Sequence, residues 1–237
     1  MKRLMKLICL VSMFTVLMAP AVFGYSIQIY QNSYSYSNGG EFTIVSNDLA
    51  GVAGAYTGYT QGVRPGGTFN FETFCLEYNE HFSPGGTYYA QISPGMAAVK
   101  GGTANYDVIS QGTAWLYQQF ITGQLTNYDY VNAAARKNSA GLLQQAIWFL
   151  EDEGQGNINN YYVQLARNHF SDDNSLTVTK GDYAGTGVSV LNVWANSNYT
   201  GYAQDQLIGI PVPEPTTMLL LGLGLLGLGL SSRKFKK

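Results

Sequence analysis

Two apolar runs, each flanked by cations, bracket this chain of 237 residues and decide which part of it folds in water. The first runs from Leu7 to Met18, after Lys2, Arg3 and Lys6. It has the length of a signal-peptide core and is too short to cross a bilayer. Small residues follow it, with cleavage expected after Ala21 or Gly24, so residues 1–24 read as a secretory signal peptide. The second run, Met218 to Leu230, contains only Met, Leu and Gly and ends at Arg233, Lys234, Lys236 and Lys237. A membrane helix is expected at about 217–232, with the basic tail 233–237 kept on the cytoplasmic side. Between them, residues 25–210 form the exported body, enough for one sizeable core.

Pro213, Glu214 and Pro215 stand just ahead of the second run. A Pro-Glu-Pro motif, a short apolar helix and a terminal basic cluster together resemble the PEP-CTERM sorting signal, here over residues 211–237. The resemblance implies recognition by an exosortase, a membrane protease-transpeptidase. It also implies transient anchoring in the inner membrane of a Gram-negative bacterium, followed by delivery to the cell surface or the extracellular matrix.

The overall charge balance hides an acidic body. Of 13 basic residues, seven lie in the two ends, which leaves six against 15 acidic residues and a net charge of −9 up to Pro215. Such a surface argues against nucleic-acid binding, which needs a basic face. Of the two cysteines, Cys9 lies in the signal, so the exported part keeps Cys75 alone and can form no internal disulfide. A lone thiol in an exported protein is buried, paired between chains, or put to chemical use.

The fold class expected is α+β: a β-rich framework, sandwich or barrel-like, with an inserted helical section. Strands are expected within 25–95, at Tyr25–Tyr36, Glu41–Ser46, Tyr56–Val63, Thr68–Tyr78 and Thr87–Ile92, with Gly-rich turns at Arg64–Gly67 and Ser83–Gly86. Helical spacing then takes over within 105–170. It covers Asp107–Thr122, then Ser139–Glu153 with Ser139 as N-cap and Gly154 as terminator, then Ile158–Phe170. Strands return within 175–210, at Leu176–Thr179, Val188–Trp194 and Gln206–Ile210.

Two segments carry candidate chemistry. Phe74-Cys75 lies late on an expected strand, and Gln144-Gln145-Ala146-Ile147-Trp148 lies on the central helix. Together they resemble the thioester domains of bacterial surface adhesins, which pair an aromatic-Cys motif on a strand with a Thr-Gln-x-Ala-hydrophobic-Trp motif on a helix. Leu143 stands where that family has threonine. The resemblance implies a bond between the Cys75 sulfur and the Gln144 acyl group, with Phe74, Ala146, Ile147 and Trp148 around it. Attack by an amine-bearing or hydroxyl-bearing target would then attach the protein covalently to a surface or matrix nucleophile. Such a protein is a single-use binder, not a turnover enzyme.

Two other readings compete. A cysteine hydrolase would need His81 or His169 as base for Cys75. A non-covalent matrix or carbohydrate-binding surface protein would use exposed aromatics, drawn from Tyr34, Tyr36, Tyr56, Tyr59, Tyr88 and Tyr89. No cofactor is expected. Asp152-Glu153 and Asp172-Asp173 lack the spaced ligands of a dedicated calcium loop, so no metal site is expected either.

Overall fold

A computed structural model describes residues 24–37, 39–54, 56–63, 67–93, 97–99, 106–171, 187–211 and 222. The expected signal peptide up to residue 23, the expected membrane helix apart from Gly222, the sorting motif 213–215 and the expected strand Leu176–Thr179 lie outside the described residues. Among the described residues no helix is long and apolar enough to cross a membrane.

Seven strands form one antiparallel sheet in the order β3-β4-β2-β1-β5-β8-β9. They are β1 (Tyr25–Tyr36), β2 (Gly39–Val45), β3 (Gln61–Val63), β4 (Phe69–Thr73), β5 (Thr87–Ile92), β8 (Val188–Trp194) and β9 (Tyr202–Gly209). The short strands β6 (Ala97–Val99) and β7 (Tyr106–Val108) make a separate hairpin. The long strand β1 buries Ile27 and Ile29 and pairs with β2 on one side and β5 on the other. Its register shifts between Gln31 and Ser35, so the end of the strand is set off from the rest.

The sheet curls until β9 meets the continuation of β4. Beyond Thr73 the chain leaves its pairing with β3 and continues alongside β9, where Cys75 bridges to Gln206. The Leu207 N–H donates to the Phe74 carbonyl (3.1 Å), the Leu76 N–H donates to the Asp205 carbonyl (3.1 Å), and the Thr73 hydroxyl donates to the Leu207 carbonyl (2.7 Å). This seam satisfies backbone groups that a sheet edge would leave unpaired.

Three helices cover one face. They are α1 (Gln111–Ile121), α2 (Ala133–Leu150) and α3 (Tyr161–Phe170), capped by side-chain oxygens of Ser110, Asn132 and Asn160. Their apolar residues join Phe74, Leu76, Val188, Val190 and Leu207 in a first core cluster. The opposite parity of the strands, with Ile27, Ile29, Ile44, Phe71, Leu191 and Val193, forms a second cluster that also holds Cys75 and Trp148.

The central helix starts earlier than its periodicity indicates. Asn132, not Ser139, is the N-cap: its Oδ1 accepts from the Ala135 N–H (3.1 Å), and three alanines then carry the first turn. Ser139 sits inside the helix, and its hydroxyl accepts from the Asp129 N–H (3.2 Å). Glu151 is the C-cap, so Gly154 stands three residues past it. The expected helix from Asp107 loses its first turn to β7, and the third helix starts at Tyr161.

Candidate functional site

The central observation is where the seam meets α2. The Cys75 Sγ lies 3.1 Å from the Gln144 Oε1. The Cys75 backbone N–H donates to that same oxygen (3.2 Å), and the Gln144 amide Nε2 donates to the Cys75 carbonyl (2.8 Å). Both residues are buried, Cys75 fully and Gln144 to within 1%. A glutamine amide is thus clamped at both ends by one cysteine, with the sulfur against its carbonyl.

Each partner is held from behind. Cys75 is fixed by the strand pairing on either side of it. Gln144 is fixed through α2, which a buried ion pair ties to β2. Arg136 binds the Glu41 carboxylate through Nε (3.0 Å) and Nη2, and Nη1 and Nη2 also donate to the Tyr130 and Tyr59 carbonyls (3.0 and 2.8 Å). The Tyr128 hydroxyl donates to Glu41 (2.7 Å), and the guanidinium lies 4.2 Å over the Tyr34 ring. Burial alone would favour an uncharged arginine, but the Glu41 carboxylate holds its pKa above the ordinary value. Gln144 follows Arg136 by about two turns on the same helix.

Trp148 shares the cluster of Cys75 and meets Tyr78 edge to face at 5.0 Å. Its indole N–H is buried and has no hydrogen-bond acceptor among the described residues. It lies near enough to the sulfur to favour a thiolate, against the stronger effect of burial and the Glu77 charge, which push the thiol well above its usual range. Gly39, at the start of β2, presses on this pair. A Cβ there would come within 2.6 Å of the Gln144 Cγ and 2.6 Å of the Trp148 Cη2. Phe74 turns to the other cluster, edge-on to Phe120 at 5.0 Å, and Ala146 and Ile147 lie in that cluster too.

Neither histidine is the partner of the Cys75 thiol. His169 stacks on Trp115 at 4.2 Å, and His81 is exposed beside Phe82 and Gln204 in a separate cleft. A buried acidic group lies next to the seam. The Asp205 carboxylate accepts from the Val193 and Val99 N–H groups (2.7 and 3.0 Å), and Glu77 accepts from the Asp205 N–H (3.0 Å). Burial raises both carboxyls well above the usual range, and for Glu77 the charges of Asp205 and Glu80 add to it. Among the described residues no group of three or more His, Cys, Asp or Glu is arranged to hold a metal ion.

Sequence reasoning named Cys75, Gln144 and Trp148 but missed Gly39, Tyr78, Gln206 and the Arg136–Glu41 pair. Gln206 faces Cys75 across the seam, and its Oε1 is buried with no hydrogen-bond partner among the described residues. The signal for the ion pair was present, since Arg136 is one of only six cations in the body and lies on the apolar central helix.

Residues 211–234 match the PEP-CTERM protein-sorting motif. No curated protein and no solved structure matches the chain. The motif implies an exported protein that an exosortase processes, sorted to the membrane or cell surface of a Gram-negative bacterium.

Proposed function

We propose that the exported body forms an internal thioester between Cys75 and Gln144 and uses it for one covalent attachment to a nucleophile on a surface or in a matrix. The observation that carries this reading is the 3.1 Å approach of the Cys75 Sγ to the Gln144 carboxamide oxygen, with both side chains buried. The carbonyl carbon lies about 1.2 Å beyond that oxygen. For the bond to form, the sulfur must turn from the oxygen, which it now faces, to that carbon.

The step balances without a co-reactant. Sulfur bonds to the Gln144 carbonyl carbon, the carbon–nitrogen bond breaks, the thiol proton passes to nitrogen, and ammonia leaves. An amide is a poor electrophile, so the step depends on placement, which can be worth effective molarities of about 10⁵ M or more. The Cys75 N–H, already on the carbonyl oxygen, would steady the negative charge that gathers there. The Trp148 N–H would do the same for the sulfur when a nucleophile later displaces it. Burial keeps water from the bond until a partner arrives.

Intact mass of the purified chain tests this. The parent is expected to be lighter by one ammonia and to take up methylamine at Gln144. Cys75→Ala and Gln144→Ala are expected to show neither change. A full sequence mass with a titratable Cys75 thiol, under conditions gentle enough to spare a thioester, would leave Cys75 an inert buried sulfur.

A further inference from the structure

Gln144 and Trp148 are not sealed on every side. Their outer flank forms the wall of a cleft of about 380 Å³, a volume in the range of small-ligand sites. The cleft is the natural entrance for whatever attacks the proposed bond. Its composition is one-sided. Tyr36, Tyr78 and Trp148 supply aromatic surface, and Gln145, Gln155 and Asn157 supply carboxamides. None of its lining residues carries a charge. Glycines let its walls approach closely: a Cβ on Gly141 would strike the Tyr36 ring at 2.6 Å, and one on Gly156 would strike the Gln145 carbonyl at 2.3 Å.

Building on the thioester reading, we propose that the acceptor is a hydroxyl of a neutral polysaccharide, which docks in this cleft and is joined to Gln144 as an ester. A lysine side chain arrives as an ammonium ion at neutral pH. No lining side chain would pair with it, and the neighbouring Glu153 carboxylate is already engaged by the Tyr78 N–H (3.0 Å), so a charge taken out of water here would lack a free partner, which is costly. A sugar ring suits the lining better. Its apolar faces stack on aromatic rings, and its hydroxyls both donate and accept, as carboxamides do. Tyr36 is 41% exposed at the mouth, so its ring is available without rearrangement.

The transfer is balanced. The hydroxyl oxygen bonds to the Gln144 acyl carbon, the carbon–sulfur bond breaks, and the hydroxyl proton passes to sulfur to restore the Cys75 thiol. A hydroxyl needs a proton acceptor as it attacks. The departing sulfur is suited to that role, because its surroundings favour the thiol over the thiolate.

The test uses the full chain after its mass has shown the loss of ammonia. It is incubated with cellohexaose, maltohexaose and chitohexaose, and separately with Nα-acetyl-lysine methylamide at equal concentration. Saccharide adducts are expected in at least tenfold excess over the lysine adduct, and alkaline hydroxylamine should release them, as it would an ester and not an amide. Gln155→Glu, which sets a carboxylate in the cleft, is expected to swing the ratio toward lysine at least tenfold. Methylamine uptake is measured beside it to report the bond. A missing ammonia loss defeats the thioester itself. An intact thioester that yields no saccharide adduct, or mostly lysine adduct, overturns the sugar assignment alone.

Discussion

Glu72 shows how one side chain ties this fold to pH. It accepts from the Asn32 carboxamide (2.7 Å) and the Thr43 hydroxyl (2.9 Å), and burial together with the Glu41 charge raises its carboxyl to about 8. An unfolded glutamate titrates near 4.3. The folded state therefore holds this proton more tightly. Its contribution to stability is fully present below about pH 4 and is lost as pH rises through about 8. The protein is expected to weaken between pH 5 and pH 9. Glu72→Gln, neutral throughout, should recover a few kcal/mol of that loss. Urea midpoints at the two pH values, parent against variant, read the effect. Equal losses in both would assign the weakening to other raised groups such as Glu77 and Asp205.

At the scale of elements, the contact between β2 and α2 is the sensitive joint. Gly39→Ala places a methyl group against Gln144 and Trp148, which overpacks the core by about 1–3 kcal/mol. The expected result is a folded protein whose ammonia loss falls at least tenfold. Circular dichroism and intact mass together check it, and an unchanged mass shift would show that the joint yields without moving Gln144.

The elements also show what the sequence can disclose. Strands β1, β5 and β8 were expected with the boundaries observed, because alternation or apolar runs end at clear turn residues. Cys75 was legible as the lone thiol of the exported body, and Gln144 through the resemblance of its segment to the helix motif of adhesin thioester domains. The early start of α2 was hidden because Ala133–Ala135 carry no apolar period, while Asn132 makes a cap that only a geometry reveals. Strands β6 and β7 have three residues each, too few for a pattern. The role of Gly39 depends on a close approach from a helix some hundred residues away, about which local sequence is silent.

For the whole molecule, the seam decides whether the sheet acts as one body. Thr73→Val removes the hydroxyl that binds the Leu207 carbonyl while keeping the side-chain volume. The expected cost is about 1–2 kcal/mol. Hydrogen exchange should quicken at the Leu207 and Leu76 amides, which cross the seam, and stay slow in the β1–β2 pairing. Uniform quickening would mean that the seam opens only by global unfolding.

The seam also sets a path for mechanical load. If Gln144 carries the attachment, pulling force enters through α2, and it leaves where Pro211 follows β9 toward the sorting segment. Strand β9 is bonded along one side to β8 and on the other, through the seam, to the segment that holds Cys75. Tension along β9 shears these hydrogen bonds in parallel instead of peeling them one at a time. A protein fastened for good at one end and held at the other would thus resist drag from flowing liquid with two rows of bonds sharing the strain.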